Sequence, residues 1–121
     1  PTYPSHTTYG VSIGLTSSQM KDCWNAYTGI DRGDQTPIYA APLRATNFAR
    51  LPPAHVHIAE IDPLADDGRE YVRLLLEAGV DAELHVARGM IHGFVRARFS
   101  GADAAAEFES ICRSLRFHLA L

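Results

Sequence analysis

Apolar residues recur along this chain with two periods, 3.6 and 2, and the alternation between them outlines the fold. Met20, Cys23, Trp24 and Tyr27 fall at i, i+3, i+4 and i+7. They follow Thr16-x-x-Gln19, a pattern in which a hydroxyl and an amide satisfy the first free N–H groups of a helix, and Gly29 is a natural stop. Residues 29–54 carry no period but hold Asp31, Gly33, Asp34, Pro37, Pro42, Pro52 and Pro53, which predicts a long surface connection. His55 to Ile61 is a short β-prone run led in by two prolines and closed by Asp62-Pro63. It predicts a buried strand and an abrupt turn that presents Asp62.

The second half repeats the alternation. Asp67-x-x-Glu70 reads as a capping box, with Tyr71, Leu74, Leu75 and Ala78 on one helical face and Gly79 as the stop, and Asp66 and Asp67 suit the positive end of that helix. Val80, Ala82, Leu84 and Val86 then alternate with Asp81, Glu83, His85 and Ala87, a strand with one face more exposed, ending at Arg88-Gly89. Asp103 is placed to cap a last helix through Phe108, Ile111, Cys112, Leu115 and Leu119. Helix, loop, strand, helix, strand, helix contains a βαβ unit, whose strands run parallel through a right-handed crossover. Two parallel strands make a poor sheet by themselves, so the remaining strands are expected from sequence missing here or from another chain. Pro1 to His6 reads as a loop, and the chain is expected to begin in mid-protein, as the C-terminal segment of one α/β domain: residues 1–54 a loop and a helix, residues 55–121 a βαβα unit.

Composition adds mostly exclusions. A length of 121 residues, 46% hydrophobic and 21% charged, fits at most one globular domain. A formal charge of −3 with scattered Lys and Arg gives no field for a phosphate backbone, so no nucleic-acid partner is expected. No apolar run approaches a membrane span and no charged-then-apolar segment here resembles a signal peptide, so the chain as given is expected to be soluble and placed in the cytoplasm. Cys23 and Cys112 lie far apart in helical segments and are read as buried free thiols.

Chemistry enters at the strand ends, where open α/β sheets gather their catalytic groups. Asp62 follows the first strand and His92 the second, thirty residues later, about one strand-helix-strand repeat. Either alone fits an ordinary turn or loop; together they form the arrangement in which a carboxylate orients an imidazole that acts as a base. The stretches Glu60-Ile61-Asp62-Pro63-Leu64-Ala65-Asp66-Asp67-Gly68 and Gly89-Met90-Ile91-His92-Gly93-Phe94 resemble the acid and base motifs of hormone-sensitive-lipase-like esterases. The similarity extends in order to Ala41-Pro42-Leu43, the helix with Trp24 and Tyr27, Tyr71, and Leu75 with Ala78-Gly79-Val80.

The resemblance implies an α/β-hydrolase fold, hydrolysis of small carboxylic esters through an acyl-enzyme, Asp62 as triad acid and His92 as triad base. It implies no metal or organic cofactor, places Trp24 and Tyr27 near the acyl pocket, and makes the last strand, Val80 to Ala87, a place for homodimer contact. The family's His-Gly-Gly-Gly segment and its Gly-Asp-Ser-Ala-Gly elbow are absent. Gly10-Val11-Ser12-Ile13-Gly14 does satisfy G-x-S-x-G, and Ser12, Asp62, His92 is the order of that fold. An elbow, however, needs a buried strand before the serine and a helix starting at it, whereas polar Ser5 to Thr8 precede Ser12 and the helix opens later at Thr16, so Ser12 is not assigned as nucleophile. His6, His55, His57, His85 and His118 have no partner that sequence identifies. His55 and His57 alternate on one strand as two ligands would, but no third ligand is placed, and they are read as core or solvent histidines. The expected function is a carboxylic ester hydrolase to which this chain supplies Asp and His. The alternative is an inactive fragment or a structural, dimerising module.

Overall fold

The computed structural model describes residues 2–11, 13–29 and 36–119. The elements are helix α1 (Pro4–Thr8), helix α2 (Ser17–Thr28), strand β1 (Ala54–Ile61), helix α3 (Ala65–Glu77), strand β2 (Ala82–Ile91) and helix α4 (Ala102–His118). Short 3-10 turns lie at Pro42–Arg44 and Phe94–Ala97. β1 and β2 pair in parallel through the α3 crossover, so the expected βαβ unit is present. α1 occupies part of the stretch read as a loop: five residues carry no amphipathic period, and the helix is fixed instead by contacts to α3 described below. Asp31, Gly33 and Asp34 of the predicted connection lie outside the described residues.

α2 begins as its sequence dictates, with both bonds of the Thr16/Gln19 box formed and Gly29 as C-cap. Its periodic face behaves differently from expectation. None of its residues is buried by the rest of the described chain, and Cys23 is exposed rather than buried. Period locates a face able to be covered; it does not supply the cover. Cys112 on α4 is half-buried.

α3 starts two residues before the predicted box, with Leu64 as N-cap and no side-chain cap bond. The turn at Asp62 accounts for this: the Asp62 carboxylate accepts the Leu64 N–H at 2.9 Å and its carbonyl accepts that of Ala65 at 3.0 Å, so the chain is already helical when it reaches Asp66 and Asp67. At the other end Val80 N–H reaches the Leu75 carbonyl and Gly79 N–H that of Leu76, closing the helix where Gly79 predicted. α4 likewise takes Gly101 as N-cap, with Asp103 inside the first turn and making no cap bond.

Leu75, fully buried, centres a core with Phe48 and Val80, and Tyr71, Leu74 and Ala78 from α3 pack around it. Phe48 comes from the aperiodic connection and meets Tyr71 edge-on at 6.0 Å between ring centres. The other contact surface of α3 lies on β1. There Gly68 faces the side chains of Ile58 and Val56, and a methyl group at that position would collide with Ile58 Cγ2 and sit 3.4 Å from Val56 Cγ1. Replacing a mid-helix glycine by alanine ordinarily gains about 1 kcal/mol, but overpacking against stiff β-branched neighbours costs roughly 1–3 kcal/mol. Gly68→Ala is therefore expected to lose stability in urea unfolding; a gain would mean that α3 is not seated on β1 this closely.

Candidate active site

β1 delivers Asp62 and β2 delivers His92 to the same edge of the sheet, and the way they meet depends on an irregularity in the ladder. Ala59 pairs with Ala87 and Ile61 with Ile91, so β1 advances two residues while β2 advances four. In regular register Ile61 would face Gly89 and Asp62 would stand opposite Met90. The two extra residues put His92 there instead. Because two is the side-chain period of a strand, the faces are preserved while the position moves along the chain.

The bulge is held by Glu60, whose carboxylate accepts the Gly89 N–H at 2.8 Å and Arg88 Nη1 at 2.7 Å. Those two bonds, the backbone one first, hold the Glu60 carboxyl below its ordinary pKa. Gly89 has φ +69°, and β2 runs on through it to Ile91 instead of ending at Arg88-Gly89 as the sequence suggests. A glycine in a strand reads equally as a stop or a bulge, and the difference is made by the carboxylate 29 residues away.

At the edge so formed, His92 Nδ1 lies 2.8 Å from Asp62 Oδ2. Asp62 is 7% exposed. An acceptor-only carboxylate at Nδ1 fixes the proton there, leaving the lone pair on Nε2. Among the described residues Nε2 has no hydrogen-bond partner. The pair can thus accept a proton at Nε2 and hold the resulting cation against a buried carboxylate.

The Asp62 turn is braced from α1, which sequence reasoning missed. Ser5, buried, donates its hydroxyl to the Pro63 carbonyl at 2.6 Å and its N–H to Asp66 Oδ2 at 2.9 Å, while its hydroxyl accepts the Asp66 N–H at 3.2 Å. His6 Nε2 meets Asp67 Oδ2 at 2.7 Å beside it. No local pattern marks Ser5, because its partners lie about 60 residues away.

The other predicted residues are placed less centrally. Ser12 lies outside the described residues. Trp24 and Tyr27 are exposed, and neither is bonded or stacked to Asp62 or His92 among the described residues. Tyr27 lines a shallow recess with Thr28, Pro37, Tyr39 and Ala40; Trp24 does not. The backbone before α2 also lies near the site: a methyl group on Gly14 would sit 3.7 Å from His92 N and from Ile91 Cβ.

The remaining histidines, for which sequence identified no partner, each have one in the structure. His6 pairs with Asp67, His55 Nδ1 with Glu83 at 3.2 Å, and both His57 and His85 with Glu107 of α4. Burial first, and then the charge of His85, lowers the His57 pKa. His118 Nδ1 is 2.9 Å from the Ser114 carbonyl one turn back.

A family model described as alpha/beta hydrolase fold matches residues 1–96. Esterase LipI of Mycobacterium tuberculosis is 51% identical over 59 residues, 49% of this chain and 18% of that protein. Ethyl acetate hydrolase of Pseudomonas putida is 30% identical over 116 residues, 96% of this chain and 36% of that protein. Among solved structures, ester-hydrolase EH1AB1 from the metagenome of Lake Arreo superposes with a TM-score of 0.83 at 34% identity, covering all of this chain and 38% of that one. The Pyrobaculum calidifontis esterase gives 0.86 at 29% identity, covering 100% and 39%. The chain spans less than two fifths of the length of each of these proteins.

The bulge yields a direct test. A side chain in the left-handed region costs roughly 1–2 kcal/mol, less for asparagine, and nothing lies within 4 Å of a Cβ built on Gly89. Gly89→Ala should lose about that amount in denaturant unfolding and Gly89→Asn less; equal stability of all three would mean that the left-handed turn is not kept in solution.

Proposed function

This chain belongs to the α/β-hydrolase fold family, and on that premise we propose that it supplies the acid and the base of a serine carboxylesterase, with Asp62 as acid, His92 as base and the nucleophilic serine on sequence outside these 121 residues. The observation that carries the reading is the 2.8 Å bond from His92 Nδ1 to a buried carboxylate at the C-terminal ends of adjacent parallel strands, with Nε2 unengaged among the described residues. Structural histidines need a partner for stability; a base needs one nitrogen held and the other available.

In the reaction so read, Nε2 of His92 takes the serine proton as the hydroxyl oxygen attacks the ester carbonyl. The imidazolium, steadied by Asp62, then returns that proton to the departing alkoxide, leaving an acyl-enzyme. Water repeats the sequence: His92 deprotonates it, the acid is released and the serine regains its proton. No cofactor is called for. Small esters are the proposed substrates, a choice supported by relatives named as carboxylesterases and as an ethyl acetate hydrolase. Trp24 and Tyr27 are proposed to line the acyl side of the pocket, with the recess beside Tyr27 as part of its wall.

Hydrolysis of a short-chain nitrophenyl ester by the full-length protein tests the assignment. Asp62→Asn should lower kcat by about 10⁴-fold, because the amide favours the wrong tautomer, and His92→Ala by up to about 10⁶-fold, with KM little changed. Undiminished turnover in His92→Ala would reject His92 as the base, and no turnover by the unsubstituted protein would reject the reading in favour of a binding or structural module. His92-dependent turnover by residues 1–121 alone would instead place the nucleophile within them, at Ser12.

A further inference from the structure

The face of the sheet turned toward α4 is unusual for parallel strands, which are ordinarily apolar on both sides. His57 and His85 are register partners on β1 and β2, their ring centres 4.2 Å apart. Glu107 of α4 reaches both. His57 Nε2 is 3.1 Å and His85 Nε2 2.8 Å from the same oxygen, Oε2, and the three donor atoms all lie within 4.8 Å of one another. We propose that His57, His85 and Glu107 form a binding site for one divalent transition-metal ion of the zinc type, which ties α4 to both strands and keeps one coordination position for water.

Three features carry this assignment. The donor set is two imidazole nitrogens and one carboxylate oxygen, which suits zinc and its neighbours and not calcium or magnesium, whose sites are built from oxygen. The spacing suits it too: metal–donor bonds of about 2.0–2.2 Å in a tetrahedron put neighbouring donors roughly 3.3–3.5 Å apart, so the His57 pair at 3.1 Å needs to open by only about 0.2–0.4 Å and the His85 pair at 2.8 Å by about 0.5–0.7 Å. Finally, hydrogen bonding alone serves the cluster poorly. The rings of His57 and His85 compete for the same carboxylate oxygen of Glu107. The site uses neither Asp62 nor His92 and is independent of the esterase reading.

An ion that binds the folded state and not the unfolded one raises the melting temperature with its concentration. Zn²⁺ added alone to the chelator-treated full-length protein should bind at one ion per chain and raise its melting temperature. In competition with a chromophoric chelator, His85→Ala and Glu107→Gln should each weaken binding by more than about 100-fold, beyond the 10- to 100-fold typical of outer-shell changes. His6→Gln, which removes a histidine–carboxylate pair elsewhere, should bind as the parent does. Co²⁺ substitution gives a second readout, since a four-coordinate nitrogen and oxygen site produces visible d–d absorption that surface histidines do not. Absence of stoichiometric binding by the unsubstituted protein, or equal losses in His6→Gln and Glu107→Gln, would overturn the proposal whatever the variants' stability.

Discussion

A carboxylate has two oxygens, and at Asp62 each is committed to a different part of the molecule. Oδ1 accepts the Leu64 N–H and turns the chain from β1 into α3; Oδ2 holds His92 from the neighbouring strand. The first bond fixes the side chain's orientation, so the second meets a preorganised acceptor instead of a free rotor. Burial of the residue among Pro63, Ser5 and the start of α3 removes competing water from the same group. The helix start and the imidazole's tautomer both trace back to this side chain, and the brace from α1 holds the residues that follow it.

Its partner arrives only because the ladder is broken. A regular parallel pairing would have set Met90 beside Asp62, and the two-residue bulge at Arg88 and Gly89 exchanges it for His92 without turning either strand over. Glu60 holds that bulge from the adjacent strand, taking an N–H that the ladder no longer uses. Local irregularity of this kind is costly unless another group takes up the released donors. Here the Glu60 carboxylate does so at little expense, since neither it nor the Arg88 guanidinium that donates to it has to be stripped of water completely.

The two faces of the sheet are closed by different physics. Toward α3, Val56 and Ile58 meet a glycine and pack at closest approach. Toward α4, a line of histidines meets Glu107, and the interface is polar. Apolar residues that would ordinarily cover such a face lie further along α4 and remain exposed, Leu115 and Phe117 among them. The outer face of α2 is in the same condition.

Periodicity in the sequence determined α2, α3, α4 and β2, because a 3.6 or a 2 repeat is a local property that survives whatever the chain packs against. The Thr16 cap, the Gly79 stop and the placement of Asp62 and His92 at strand ends were legible for the same reason: each depends on residues within a few positions or on the βαβ order. Only the tertiary structure decided the bulge that brings the pair together, the role of Ser5, the burial of Phe48 and the convergence of His57, His85 and Glu107. Each of these is a meeting of groups separated by about twenty residues or more in the chain. A sequence pattern records which face a residue occupies; whether another group stands opposite it depends on chain closure, which has no local signature.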